Sequence, residues 1–240
     1  LADLNAICEK ATACLGVLQA QLDARQESET SIQEARNWCI HLADRLIAAQ
    51  AQASILLLGY QELANRAEHH FQSMEFGFLF NAQRNVFHIG YNVSNDALDD
   101  NFYDLLASEA RLASLLAIAK REVPPVHWLH LGRPVTRVND TLTLLSWSGT
   151  MFEYLMPTLF MDSYEQTFLT QSCRSAVDDQ IAYGQSKNVP WGISESSYYA
   201  FDSGMTYQYH AFGVPNLGFK RGLEEDLVIA PYASLLALRI

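Results

Sequence analysis

Basic residues are scarce in this sequence. Sixteen Lys and Arg residues stand against twenty-seven Asp and Glu residues, which gives a formal net charge of −11. Nucleic acids and anionic membrane surfaces are bound mainly through Lys and Arg, so we expect neither to be a partner of the chain as a whole. A neutral polysaccharide carries no charge that would oppose binding.

Long apolar runs and paired cysteines are also absent. No stretch of about 18 or more apolar residues and no signal peptide occurs, so the sequence predicts no membrane span. The four cysteines show neither C-x-x-C pairs nor the spacing of metal ligands, and three of them fall on apolar helix faces. This usage is typical of small buried side chains in a reducing compartment. The cysteines are Cys8, Cys14, Cys39 and Cys173.

Common motifs for cofactors, metals and activated nucleophiles are missing as well. The sequence contains no G-x-G-x-x-G, P-loop or G-x-S-x-G pattern, and therefore offers no sign of a nucleotide cofactor or a serine nucleophile. The histidine pairs at 69–70 and 127–130 have no carboxylate or cysteine partner at ligand spacing. We expect neither a cofactor nor a metal.

Heptad patterns mark the first part of the chain. Apolar or small residues recur at alternating spacings of three and four over 1–22 and again over 32–56. A polar segment separates the two runs, with Thr30 or Ser31 available as an N-cap and Glu34 as its capping-box partner. The patterns predict an antiparallel helical hairpin with a structural role, which forms a first domain over residues 1–73.

Short hairpins and helices alternate in residues 74–240. One β-hairpin is predicted around 81–85 and a second around Asn139-Asp140, both of which offer turn residues between apolar runs. Strands do not recur at the spacing of βα units, which favours a mainly α toroid whose loops at one end form the site. Helices are predicted over 102–121, 150–160, 165–187 and 223–240.

One carboxylate stands out in an aromatic-rich loop. Glu195 lies between Trp191 and the Tyr198-Tyr199 pair. Flat aromatic faces beside an acid suit the apolar faces and hydroxyl edges of a sugar. Two interpretations are open, a surface glutamate in a loop and the acid of a carbohydrate site.

Four further residues in three segments are candidates for binding sugar hydroxyls or rings. Asp96 lies in an Asn-rich segment, and Trp147 precedes a helix start that carries Glu153. Glu153 could favour the helix dipole, although its aromatic neighbours favour a role that faces a pocket. Gln208 lies in a Tyr-rich segment that reads equally well as a half-buried strand or as the lining of a polar groove.

Long motifs are spread over the last two thirds of the chain. They are 87–92 (FHIGYN), 103–111 (YDLLASEAR), 147–157 (WSGTMFEYLMP), 180–184 (QIAYG), 190–196 (PWGISES), 207–215 (YQYHAFGVP), 220–223 (KRGL) and 226–232 (DLVIAPY). In these motifs, residues 74–240 resemble the glycoamylase-like domain of cyclic β-1,2-glucan synthases. The helical hairpin resembles the segment that precedes this domain.

The resemblance implies part of an (α/α)6-barrel glycoside hydrolase fold with small β-hairpins. It also implies that the domain closes a linear β-1,2-glucan into a ring by retaining transglycosylation, with Glu195 as the general acid/base. The expected substrate-binding residues are Asp96, Trp147, Glu153, Trp191, Tyr198, Gln208 and Tyr209.

The resemblance also places the chain in a larger protein. Such synthases are inner-membrane proteins, so the expected location is the cytoplasmic side of the bacterial inner membrane, with the remaining domains and the glucan as partners. The nucleophilic Glu is expected after residue 240, both ends look cut, and the fragment alone should be inactive and able to self-associate. An endo-β-1,2-glucanase and a non-catalytic glucan-binding domain are the alternatives.

Overall fold

The computed structural model describes residues 2–25, 30–197, 200–208 and 210–240. Helices predominate and the strands form short antiparallel hairpins, which confirms the mainly α class. None of the helices in the described part is long and apolar enough to cross a membrane. The chain divides into two compact units, Leu1–Met74 and Glu75–Ile240.

The helices are α1 (Ala2–Asp23), α2 (Thr30–Ser73), α3 (Arg111–Ala119), α4 (Val126–His130), α5 (Met151–Leu155), α6 (Phe168–Ser186) and α7 (Pro231–Leu236). The strands are β1 (Phe80–Asn81), β2 (Val86–His88), β3 (Tyr91–Asn92), β4 (Ala97–Leu98), β5 (Phe102–Tyr103), β6 (Val135–Val138) and β7 (Thr141–Leu144). Short 3₁₀ turns cover Gly77–Leu79, Met156–Leu159 and Ala237–Arg239.

The first unit is an antiparallel pair of helices, α1 and α2. Near the connection, Arg36 donates a hydrogen bond to the carbonyl oxygen of Leu22 at 2.7 Å. Farther along, Gln50 donates to the carboxylate of Glu9 at 3.1 Å. The buried side chains all occupy predicted heptad positions, whereas other heptad positions such as Leu18 are exposed. The buried positions are Cys8, Leu15, Ile32, Cys39 and Ala53.

Both predicted hairpins occur in the second unit. Strand β2 pairs with β1 on one side and with β5 on the other, and β6 pairs with β7. The turn between β6 and β7 consists of Asn139 and Asp140, with φ of 43° and 65°. Positive φ at both turn residues is what a tight hairpin requires, and Asn and Asp tolerate it better than other side chains.

All four helices predicted in the second unit are shorter than the patterns suggested, and two of them begin much later. The helix predicted over 150–160 ends at Leu155, after which Met156–Leu159 form a 3₁₀ turn. The helix predicted from residue 102 begins at Arg111, because 102–103 pair as β5 with strand β2. The helix predicted from residue 223 begins at Pro231, which occupies the first helical position. Before it, Gly222 has a φ of 76° and Leu223 is fully buried in an irregular segment.

The core of the second unit packs around α5 and α6. Met151, Tyr154 and Leu155 of α5 are fully buried, as is Ala176 of α6. The irregular segment 212–217 contributes Val214 and Leu217 to the same cluster, and α7 contributes Ala233. The (α/α)6 barrel stays a prediction.

Candidate active site

The loop before α5 is organised by the carboxylate of Glu153, which is only 4% exposed. Its Oε1 accepts hydrogen bonds from the N–H groups of Trp147 and Ser148 at 2.9 and 3.0 Å. Its Oε2 accepts from the hydroxyls of Ser146, Ser148 and Thr150 at 2.8–2.9 Å, and from the Thr150 N–H at 2.8 Å. A buried carboxylate needs such donors to offset its desolvation, so Glu153 fixes the shape of the loop.

These contacts correspond to the helix-start role that the sequence left open for Glu153 beside a pocket-facing one. Thr150 and Glu153 form a capping box, in which each side chain pairs with the backbone N–H of the other. Both carboxylate oxygens are occupied by the protein's own donors. Glu153 therefore acts on the site through the loop that it holds.

The segment that carries Glu195 is attached to the start of the same helix. The N–H of Met151 donates to the carbonyl oxygen of Ile193 at 3.1 Å, and the N–H of Phe152 donates to the hydroxyl of Ser194 at 2.9 Å. The first N–H groups of a helix have no partner within it, so they are free to bind a neighbouring segment. Since Glu195 follows directly, its position is tied to the start of α5.

Two side chains on other helices, Gln180 and Tyr232, bind the backbone of this segment. Gln180 of α6 is 1% exposed and donates to the carbonyl oxygens of Gly149 and Ile193, both at 2.9 Å, while it accepts from the Ile193 N–H at 2.8 Å. Tyr232 of α7 donates its hydroxyl to the carbonyl oxygen of Glu195 at 2.7 Å. The backbone is thus fixed on both sides of the half-buried Glu195 side chain.

Glu195 lies near a second acid, Glu109. The half-buried Glu109 carboxylate accepts a hydrogen bond from the Ser108 hydroxyl at 3.2 Å. Burial raises the pKa of Glu109, and the negative charges of Glu153 and Glu195 raise it further. Burial, followed by the charges of Glu109 and Glu195, also raises the pKa of Tyr103. The structure therefore brings Glu109, Glu195 and Tyr103 into one electrostatic neighbourhood.

Arg111 attaches the Glu109 turn to α5. Its guanidinium is 2% exposed and donates to the carbonyl oxygens of Ser108 at 2.9 Å, Glu153 at 2.7 Å and Tyr154 at 2.5 Å. The last carbonyls of a helix lack partners within it, so a cation is well placed there. One five-residue helix consequently positions three segments, which carry Glu109, Trp147 and Glu195.

The two tryptophans predicted to bind substrate, Trp147 and Trp191, differ in how far they are buried. Trp191 is half-buried and packs against the core. It rests on α6, where a Cβ added at Gly184 would lie 3.0 Å from Trp191 Cα and Cβ. Trp147 is 53% exposed, although its backbone is bound to Glu153. Trp147 therefore offers an aromatic surface to a ligand.

The other predicted substrate-binding residues have local contacts. Asp96 is exposed in the β3–β4 hairpin and accepts a hydrogen bond from the Tyr91 hydroxyl. Gln208 is exposed, and its N–H donates to the carbonyl oxygen of Ala200 at 2.8 Å. Tyr198 and Tyr209 lie outside the described residues. Binding of sugar by these residues stays a prediction.

Three neighbours of Glu195 were not singled out from the sequence. They are Glu109, Tyr103 and Tyr232, each of which lies in a motif that carries the family resemblance. Glu109 could have been identified from the sequence Ser-Glu-Ala-Arg, because it lies two residues before Arg111, whose buried guanidinium binds the turn that carries Glu109. Tyr232 follows the helix-starting Pro231, so its placement on the first turn of α7 was within reach of the sequence.

Among the residues that the structure describes, no group of three or more His, Cys, Asp or Glu could hold a metal ion. One surface cavity of about 630 Å³ is lined mainly by segments 140–142 and 165–175. A second cavity, of about 550 Å³, is lined by residues of segments 106–128 and 157–173. Glu195 lines neither of these two cavities.

A family model that matches more than half of the chain shows to which family the chain belongs. The model of the Glycoamylase family, described as "Putative glucoamylase", matches residues 101–240, which is more than half of the chain. The chain belongs to this family. The matched residues include Glu109, the α5 loop and Glu195, so the family's shared region contains the candidate site.

A curated relative extends the similarity beyond the family model. Over 200 residues the chain is 48% identical to "Cyclic beta-(1,2)-glucan synthase NdvB" of Rhizobium meliloti (strain 1021). The match covers 82% of this chain and 7% of that protein, so the chain spans a small part of its relative's length. The resemblance to cyclic β-1,2-glucan synthases that the motifs predicted is confirmed.

Proposed function

We propose that this chain carries the carboxyl pair of a glycosyl-transfer site that closes β-1,2-glucan into a ring. The proposal rests on the attachment of the Glu195 segment and the Glu109 turn to the same helix, α5. The start of α5 binds the Glu195 segment, and Arg111 binds the Glu109 turn to the end of the same helix. The negative charge of Glu195 also contributes to the raised pKa of Glu109, after burial and the charge of Glu153.

Two nearby carboxyls are what retaining glycosyl transfer uses. One carboxylate attacks the anomeric carbon, the glycosidic C–O bond breaks, and the second carboxyl gives its proton to the leaving oxygen. A hydroxyl of the acceptor then attacks the same carbon, its proton returns to the second carboxylate, and the first carboxylate leaves. Such pairs are about 5–5.5 Å apart, and one member is protonated while the other is ionised.

The family resemblance assigns the acid/base role to Glu195, and we assign the second carboxyl to Glu109. The resemblance implies a nucleophile after residue 240, whereas Glu109 offers a carboxyl within the chain. The raised pKa of Glu109 favours the reverse assignment, in which Glu109 holds the proton and Glu195 attacks. Kinetics of the two variants, rather than burial alone, decide which acid donates and which attacks.

Ring closure requires that a hydroxyl of the same glucan chain, rather than water, attacks the anomeric carbon. Aromatic side chains that hold the far part of the chain raise the effective concentration of that hydroxyl. Trp147 and Trp191 are the described aromatic candidates. In this proposal the chain is part of an (α/α)6 barrel within a synthase at the cytoplasmic side of the inner membrane, and the remaining domains supply the linear glucan.

The test uses a synthase that carries this chain, with Glu195→Gln and Glu109→Gln as separate variants. Incubation with linear β-1,2-glucan should give cyclic product at least about 10²–10⁴-fold more slowly in each variant, because Gln keeps the shape but can neither exchange the proton nor attack as a carboxylate. Glu165→Gln is the matched control, since Glu165 is exposed and pairs with Arg174 in another part of the fold. Full activity in both site variants would contradict the assignment.

A substrate with an activated leaving group separates the two roles. A variant that lacks the acid should still cleave it, because a good leaving group needs no proton, whereas a variant that lacks the nucleophile should not. The family description as a glucoamylase favours hydrolysis as the second candidate. New reducing ends without cyclic product would support hydrolysis, and glucan binding without turnover would support a binding domain.

A further inference from the structure

Trp147 and Phe219 form an exposed aromatic pair beside the candidate site. Their ring centroids are 6.4 Å apart and their planes differ by 25°. Trp147 is 53% exposed and Phe219 is 58% exposed. Two large rings that face solvent in nearly parallel planes leave apolar area that a ligand could cover. Phe219 has no part in the proposed chemistry so far.

The backbone places these two rings side by side. Ser146 and Gly218 form a parallel β-bridge, so the residues that follow them are neighbours. The N–H of Phe219 donates to the carbonyl oxygen of Ser146 at 2.8 Å, and the N–H of Lys220 donates to that of Trp147 at 2.9 Å. The spacing of the rings is therefore set by main-chain hydrogen bonds.

Close packing makes this arrangement rigid. A Cβ added at Gly213 would lie 1.7 Å from the carbonyl oxygen of Ser148, and one added at Gly218 would lie 3.0 Å from the carbonyl carbon of the same residue. Only glycine allows the segments 146–149 and 212–219 to approach so closely. Glu153 fixes the other side of the loop through the Trp147 N–H. Rings held in this way lose little conformational entropy when a ligand binds.

The pair is also connected to the acid. Trp147 is bound through Glu153 to the start of α5, which binds the segment of Glu195 through Phe152 and Ser194. A ligand on the rings would therefore lie in a fixed relation to the Glu195 carboxyl. The ring faces are apolar and electron-rich, so they suit the C–H face of a neutral sugar and disfavour an anion.

We propose that Trp147 and Phe219, here called the aromatic platform, form a binding subsite for a glucosyl unit of the β-1,2-glucan chain. The inference rests on the proposed function and adds a specificity role to it. The platform holds a part of the glucan away from the bond that breaks. It thereby keeps the acceptor hydroxyl near Glu195 and favours ring closure over hydrolysis.

Binding is measured by titrating a linear β-1,2-linked glucooligosaccharide into this chain and into a synthase that carries it. Trp147→Ala and Phe219→Ala should each raise the Kd by about tenfold, as truncation of an aromatic anchor commonly does. Trp147→Phe should restore most of the affinity because it keeps a flat ring. Tyr164→Ala is the matched control, since Tyr164 is 69% exposed and lies in another segment. Melting curves confirm that each variant is folded.

The synthase gives a second readout. The platform variants should raise KM and lower the ratio of cyclic product to new reducing ends, whereas Glu195→Gln should lower kcat and leave the Kd unchanged. If the platform variants match Tyr164→Ala in Kd, KM and product ratio, the platform inference is wrong while the carboxyl pair still stands. If both Gln variants stay fully active while the platform variants lose affinity, the carboxyl assignment fails and the binding subsite stands.

Discussion

Replacement of Glu153 by Gln should destabilise the second unit strongly, although it changes a single oxygen to an NH2 group. In one orientation the new NH2 group faces the N–H of Trp147, which would then lack an acceptor, and the N–H of Ser148, which would keep only its longer hydrogen bond of 3.3 Å to Oε2. In the other orientation it faces the Thr150 N–H and three hydroxyls. In either orientation at least one N–H group loses its acceptor, which costs about 1–3 kcal/mol, so we expect a loss of at least that size.

A loss of this size is a large fraction of the stability of an ordinary domain, which is about 5–15 kcal/mol. Urea unfolding of the two proteins measures it, and the midpoint should fall without a change in the slope. Glu165→Gln is the control, because the Glu165 carboxylate is exposed and its loss should change the midpoint little. If Glu153→Gln unfolds at the same urea concentration as the parent, the carboxylate does not hold the loop and the account given for the site is wrong.

Two further predictions concern the same unit. Gly213→Ala should destabilise the protein by at least about 1–3 kcal/mol, since its Cβ would overlap the Ser148 carbonyl, whereas Gly90→Ala meets no atom within 4 Å and should be neutral in the same urea experiment. Glu109 has a pKa raised above its ordinary 4.5, so the folded state keeps a proton that the unfolded chain releases, and stability falls as the pH rises from about 4.5 through the raised pKa. Glu109→Gln should remove that fall, and parallel stability curves for the two proteins between about pH 4 and pH 8 would contradict the raised pKa.

The features that the sequence predicted are those set by local patterns. The heptad positions Cys8, Leu15 and Cys39 are buried, and the turn at Asn139 and Asp140 has the expected geometry. Helix lengths were less predictable, because pairing of 102–103 with β2 and packing of Leu223 in an irregular segment depend on residues far away in the chain. Apolar spacing alone cannot distinguish such a buried irregular segment from a helix.

The candidate site shows the same division. Acid- and aromatic-rich segments identified Glu195, Trp147 and Trp191 as candidates and the resemblance gave Glu195 its role, but neither gave a role to Glu109. The segments that carry Glu109 and Glu195 are both attached to α5, by hydrogen bonds between residues that are 42 and 43 positions apart in the chain. The sequence does not contain that pairing in any local form. The aromatic platform likewise depends on a bridge between Ser146 and Gly218, which are distant in the chain.

The hydrogen-bonded loop around Glu153 affects how any alanine scan of this protein should be interpreted. Ser146, Ser148 and Thr150 would each score as sensitive positions, and their hydroxyls resemble groups that bind sugar. All three instead donate to one buried carboxylate, so their loss would lower activity by moving Trp147 and the start of α5. A loss of activity on replacing any of these three residues would therefore report a change in loop geometry rather than a lost contact with substrate. Substrate contacts are better sought among side chains whose replacement changes affinity while the melting temperature stays constant.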